Sequence, residues 1–249
     1  MKRVFAILVA FAAATLCLAP SATAQDTWQF RMTPYVWAMS TAGDGQLGPV
    51  PVNLDASTKE IVKGLDFSLE GYIEATKGGL LLLADAHISK VHINIAPAAP
   101  LTAGKFTNRM VIVSAAAGRR FKGRYDLYAG VRYYNLNLQA LFDGFPFFFG
   151  GQNAWVDPIV GARVLVPLKP KMAFALRGDV GGFGVGSSVA WMIQPTVTYQ
   201  VSPKLNALIG FRILKANRET GRSVTDFNKN LFDYDVSHRG PGFGMTLSF

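Results

Sequence analysis

Apolar and polar residues alternate with a period of two over long stretches of this chain. Between residues 191 and 201, Trp191, Ile193, Pro195, Val197, Tyr199 and Val201 fall on one face, and Met192, Gln194, Thr196, Thr198 and Gln200 on the other. Residues 205 to 213 repeat it, with Leu205, Ala207, Ile209, Phe211 and Ile213 opposite Asn206, Gly210 and Arg212. Met172, Phe174, Leu176 and Val180 oppose Arg177 and Asp179, and Phe67, Leu69, Ile73 and Ala75 oppose Asp66, Ser68, Glu70 and Glu74. Side chains switch sides at every residue of a strand, so each stretch predicts a strand with one apolar and one polar face. Runs of about ten such residues suit a wall with lipid outside and a polar lumen inside.

The connections alternate in length. Short ones lie at 77–79, 121–124, 168–171 and 202–204, and long ones at 96–105, 143–153 and 217–230, with 181–187 a shorter connection on the long side. Barrels of the outer membrane pair short periplasmic turns with long extracellular loops in this parity, which a soluble sandwich has no reason to keep. The prediction is an all-β, membrane-spanning, antiparallel up-and-down β-barrel of about ten strands, with twelve or eight as alternatives. The strands fall at 28–39, 66–76, 80–95, 106–121, 125–141, 153–167, 171–182, 188–201, 204–217 and 231–249. Segment 42–65 is expected to hold an extra hairpin (45–56) and a short helix (57–65), lying in a loop or dipping into the lumen. Where alternation slips a phase, at Tyr133-Tyr134 and around Gly240-Pro241-Gly242, β-bulges are expected.

Composition narrows the setting. Lys2 and Arg3 precede an uncharged apolar stretch, and Ala22 and Ala24 supply the small residues of a cleavage site. Residues 1–24 are therefore expected to be a Sec signal peptide, leaving 25–249 as one barrel domain. The single cysteine, Cys17, lies inside that leader, which leaves the mature chain without disulfide or thiolate chemistry. The net charge of +9 becomes +7 without Lys2 and Arg3. For an exported chain, that excess points to anionic head groups and lipopolysaccharide phosphates as partners. Nucleic acid is not expected, because no dense basic run interleaved with aromatics appears. The ending Phe243, Met245, Leu247, Phe249 alternates up to a terminal aromatic, which resembles the signal read by the barrel-assembly machinery.

The stretches WQFRMTPYVW (28–37), AWVDPIVGARV (154–164), GDVGGFGVGSS (178–188) and FDYDVSHRGPGFGMTLSF (232–249) resemble an uncharacterised family of Gram-negative outer-membrane β-barrel proteins. The resemblance covers essentially the whole mature chain and implies a barrel in the outer membrane. It brings no activity with it.

The inward faces carry the candidate chemistry. Arg31, Arg132, Arg163, Arg177 and Arg212 are assigned to the lumen, as are Glu70, Glu74, Asp85, Asp157 and Asp179. Charges in so narrow a space must be paired or hydrated. They make either a closed, salt-bridged interior or a narrow channel for small polar solutes. A hairpin centred near Lys169 sets Asp157 and Asp179 at one level, with Arg163 and Arg177 one to three rungs away.

An enzyme is not expected. His87 between Asp85 and Ser89 is the one arrangement that invites a Ser/His/Asp reading, as in a lipid hydrolase, but no oxyanion donor accompanies it. His92 and His238 read as surface or rim residues. No metal site or cofactor is expected from three histidines without ligand spacing. Surface recognition is the other class: the phenylalanine-rich 143–151 suits a hydrophobic ligand or acyl chains, and the basic 215–229 suits lipopolysaccharide phosphates. The glycine-rich RGDVGGFGVGSS (177–188) lacks the lysine of a phosphate loop, since Ser187 stands in its place. It reads as a compact hairpin whose Arg177 and Asp179 belong to the lumen. Oligomeric state stays open.

Overall fold

A computed structural model describes residues 27–47, 50–95, 104–142, 148–220 and 232–249. The expected leader, the tip of the phenylalanine-rich loop, and Arg222 and Lys229 of the basic loop lie outside the described residues. The first elements are β1 (Gln29–Trp37), β2 (Ser40–Leu47), β3 (Val50–Asn53), helix α1 (Thr58–Lys63) and β4 (Leu65–Lys77). Long strands follow: β5 (Leu80–Ile95), β6 (Gly104–Phe121), β7 (Tyr125–Phe142) and β8 (Phe148–Lys169). The last are β9 (Met172–Gly181), β10 (Val189–Ser202), β11 (Leu205–Thr220) and β12 (Phe232–Ser248).

Each strand from β4 to β12 pairs antiparallel with the next, and β1 joins β4 to β12 to close the ring. β1 and β2 make one wall segment. β1 pairs β12 from Arg31↔Ser248 to Trp37↔Gly242, and β2 continues in the same register from Ser40↔Arg239 to Leu47↔Phe232. The protein is thus a closed ten-stranded antiparallel barrel with one additional strand, β3, paired only to β2.

Local chemistry accounts for the tight ends. Gly78 and Gly79 carry φ of 55° and 85° between the paired Lys77 and Leu80, the two left-handed residues of a turn that matches strand twist. β4 meets β1 only up to Gly71, and α1 contacts β5 and β2 beyond that point. Ser57 caps α1 reciprocally with Glu60. Ile61 is buried in the barrel's apolar cluster together with Trp37 and Met110. The expected hairpin and the expected helix of 42–65 are therefore both present.

The expected bulges are not. β7 keeps an unbroken register through Tyr133-Tyr134, and β12 does so through Gly240-Pro241-Gly242. What changes there is the meaning of the two faces. Along β7, Arg132, Tyr134, Leu136 and Leu138 are buried, while Tyr133, Asn135, Asn137 and Gln139 face outward. On β6, Met110 and Ile112 are buried, with Arg109 exposed on the other side between Lys90 of β5 and Asn137 of β7. On β12, Tyr234 and Val236 are buried, and Asp233, Asp235 and Arg239 face out.

Below this level the outward face is apolar: Leu69, Ile73, Val131, Val156, Ile193, Ile209, Phe211, Phe243 and Met245 are all exposed. An 18-residue strand tilted as in outer-membrane barrels rises about 45 Å, against an apolar band of about 25 Å. The walls therefore outreach such a band, and their polar outer face lies at the end with the long connections. There water wets the outside and apolar residues fill the inside, so the pattern inverts without any change of backbone phase.

Candidate functional site

The interior is layered from the mouth at the short-turn end upward. Next to that mouth is a chamber of about 500 Å³, lined by Arg31, Thr33, the 123–124 turn, and the short-turn ends of β8 to β12. Arg163, Arg177, Arg212, Tyr35 and Tyr72 form its upper end.

The charged layer above the mouth has two centres. In the first, Glu74 takes Arg163 Nη2 at 2.7 Å, Arg120 Nη2 at 2.9 Å and the Tyr72 hydroxyl at 2.9 Å. Asp126 accepts from Arg120 Nε at 2.8 Å and from Arg163 Nε at 2.7 Å. Arg31 stands at the edge of this centre, 3.7 Å from Glu74 with its side chain 45% exposed. In the second, Asp85 accepts from Arg212 at 2.9 Å, Arg177 at 3.2 Å and the Tyr35 hydroxyl at 2.7 Å. Arg132 reaches both oxygens of Asp179 at 2.9 Å and donates Nε to Ser114. Tyrosine faces hold the guanidinium planes: Arg177 lies 5.3 Å from the Tyr72 ring and Arg212 5.0 Å from the Tyr35 ring.

Glu70 and Asp157 belong to other networks. Glu70 accepts from the Ser68 hydroxyl and from the Trp37 amide. Asp157 accepts the Ser187 amide at 2.6 Å, and Trp155 Nε1 donates to the Ser187 hydroxyl at 2.9 Å. This pins the glycine-rich 182–188 connection against the inner wall, with Gly182 and Gly184 at positive φ. The level assignment for the β8–β9 hairpin needs correcting. Arg163 pairs in register with Arg177, and Asp179 faces Gly161. An irregularity between Pro167 and Lys169 shifts the hairpin, at a residue that has no amide to give to the ladder. Asp157 sits beyond the end of β9, opposite Arg132 on β7.

His87 Nε2 lies 3.1 Å from Ser89 Oγ. Its Nδ1 lies 2.9 Å from Glu70, poorly aligned for a hydrogen bond, so the carboxylate beside the His/Ser pair is Glu70 and not Asp85. Ser89 and His87 are buried, and the void touching His87 measures only about 20 Å³. His92 is on the outer wall, 2.7 Å from Asp66. His238 is internal, bonded to Thr41 at 3.1 Å and Tyr234 at 2.7 Å, because its parity on β12 points inward; the rim assignment was wrong for it. Phe243 and Met245 stand exposed on the outer face of β12 and Phe249 is exposed just past its end, with Leu247 half-buried between β1 and β11.

Arg120 and Asp126 escaped the sequence reading because they flank the Lys122-Gly123 turn. Their parity with the inward Ser114 and Arg132 is the signal that places them inside. Above the charged layer, Met110, Ile112, Leu136, Leu138, Leu214 and Val236 fill the barrel.

Among solved structures, the chain is similar to the toluene transporter TbuX of Ralstonia pickettii at 9% identity, covering 90% of this chain and 89% of that one (TM-score 0.36). Neisserial surface protein A is 11% identical, covering 92% of this chain and 100% of that one (TM-score 0.31). An anion-selective porin from Comamonas acidovorans is 14% identical over 73% of this chain (TM-score 0.32), and the chain spans 49% of that porin. No protein-family model and no curated protein matches the chain. The barrel stands on its own hydrogen-bonded closure rather than on these likenesses.

Proposed function

We propose that this outer-membrane barrel is a closed structural wall that does not pass solutes along its own axis. The observation that carries the reading is the apolar layer of Met110, Ile112, Leu136, Leu138, Leu214 and Val236 across the extracellular half. The charged layer alone would suit a hydrated filter for small polar solutes. An apolar layer above it excludes the water a permeating solute needs. The void at the junction of the two layers, about 20 Å³, is room for about one water.

The outward run of Phe243, Met245 and Phe249 supports insertion by the barrel-assembly machinery. Lys90, Arg109 and Lys215, just above the apolar belt, support contact with lipopolysaccharide phosphates at the outer leaflet. Planar-bilayer recording of the purified, refolded protein tests the closed state. A flat baseline at ordinary holding potentials is expected, and reproducible unit conductance steps would overturn it in favour of the narrow channel.

A further inference from the structure

The geometry points to a binding site for a small organic oxyanion, a carboxylate or a phosphate ester, in the chamber at the periplasmic end of the barrel. Its volume of about 500 Å³ falls within the range of small-molecule sites. Turn residues Gly123 and Arg124 and the periplasmic ends of β8 and β9 line it, so a ligand comes from the periplasm. The charged layer closes it above.

Charge selects the class of ligand. Among the described residues, five guanidinium groups line the chamber (Arg31, Arg124, Arg163, Arg177 and Arg212) against one carboxylate, Glu74, and Asp85 and Asp126, outside the lining, pair with three of them. The buried carboxylates Glu70, Asp157 and Asp179 are not among the described lining residues. A cationic lining between low-dielectric walls concentrates anions and raises their rate of arrival.

The upper end of the chamber is also prepared for an oxyanion. Arg177 lines it, is only 6% exposed and lies with its plane against two tyrosine rings; Nε and Nη1 donate to Tyr128 and Asp85, and Nη2, itself buried, has no hydrogen-bond partner among the described residues. A planar guanidinium already held in place suits carboxylate or phosphate oxygens, which a mobile lysine would bind with less geometric selection. The walls mix hydroxyls (Thr33, Thr196, Thr198) with small alkyl groups (Leu165, Ala173, Ala175). They take a short uncharged body behind the anionic head.

Isothermal titration of the protein in nanodiscs of neutral lipid, with empty nanodiscs subtracted, tests the site. The probes are hexanoate, hexyl phosphate, hexanol and hexyltrimethylammonium. Saturable binding of either anion, weakened by salt, is expected, and the preferred anion names the head group. The double change Arg31→Gln and Arg124→Gln, at the exposed mouth, should weaken binding roughly threefold per arginine. Thr198→Trp should fill the chamber and abolish it. Equal binding of alcohol or ammonium would overturn the assignment, as would no binding of either anion to folded barrel, or binding that Thr198→Trp leaves unchanged. The conductance baseline is a separate readout, so failure of the anion site leaves the closed-wall reading standing on its own test.

Discussion

Asp85→Asn is the sharpest test of the dry charged layer. The carboxylate holds two guanidinium groups at once, Arg212 at 2.9 Å and Arg177 at 3.2 Å, and accepts the Tyr35 hydroxyl. Asparagine keeps the shape and one oxygen but removes the charge. At about 3 Å, each ion pair is worth about 5 kcal/mol with an effective dielectric of about 20. Desolvation of the carboxylate offsets much of that gain. The cost is decided by the two buried arginines left without their shared counter-charge, and breaking such a pair destabilises by about 3–5 kcal/mol. With an m-value of about 2 kcal/mol/M, the urea midpoint should fall by about 2 M. Tryptophan fluorescence during urea titration of the refolded barrel reads it, with heat-modifiable gel migration reporting whether the variant folds. Lys90→Ala is the control. Its pair with Asp66 is 2.9 Å long but about a third exposed on both sides, so it should cost less than about 1 kcal/mol. A loss below about 1 kcal/mol for Asp85→Asn would mean that water screens the layer, and the dry-interior argument would be refuted.

The inverted pattern of the outer wall predicts opposite tolerances at two outward-facing positions. Ile209→Arg should cost about 2–4 kcal/mol as a charge within the apolar belt, and Asn137→Arg about 0–1 kcal/mol beyond it; equal costs in one urea series would place the bilayer boundary elsewhere. Asp157→Ala should release the 182–188 connection by removing the acceptor of the Ser187 amide, and hydrogen exchange there should rise while that of β7 stays unchanged. At α1, the Ser57 hydroxyl and amide hydrogen-bond the Glu60 carboxylate and hold its pKa below the ordinary value. Since the folded value is the depressed one, this cap contributes at neutral pH and is lost as pH falls through it. Amide exchange across 58–63, corrected for intrinsic rates, should therefore accelerate in acid, and constant protection would count against the cap.

The sequence by itself determined the ten-stranded architecture and the inward or outward side of most residues, because strand geometry enforces a period of two and turns punctuate it. Arg132, Asp179, Arg212 and Glu74 could be placed inside on parity alone. Partnership was out of reach. Asp85 meets Arg177 and Arg212 from 92 and 127 residues away, and those distances close only when the sheet becomes a barrel and its stagger sets the levels. The same local rule reads the inverted faces of β7 and β12 as bulges, because alternation tells which residues share a side and not what medium that side meets. The medium follows from strand length against bilayer thickness. Closure alone decided that the upper lumen is apolar and filled, and that the arginines collect around a chamber at the short-turn mouth.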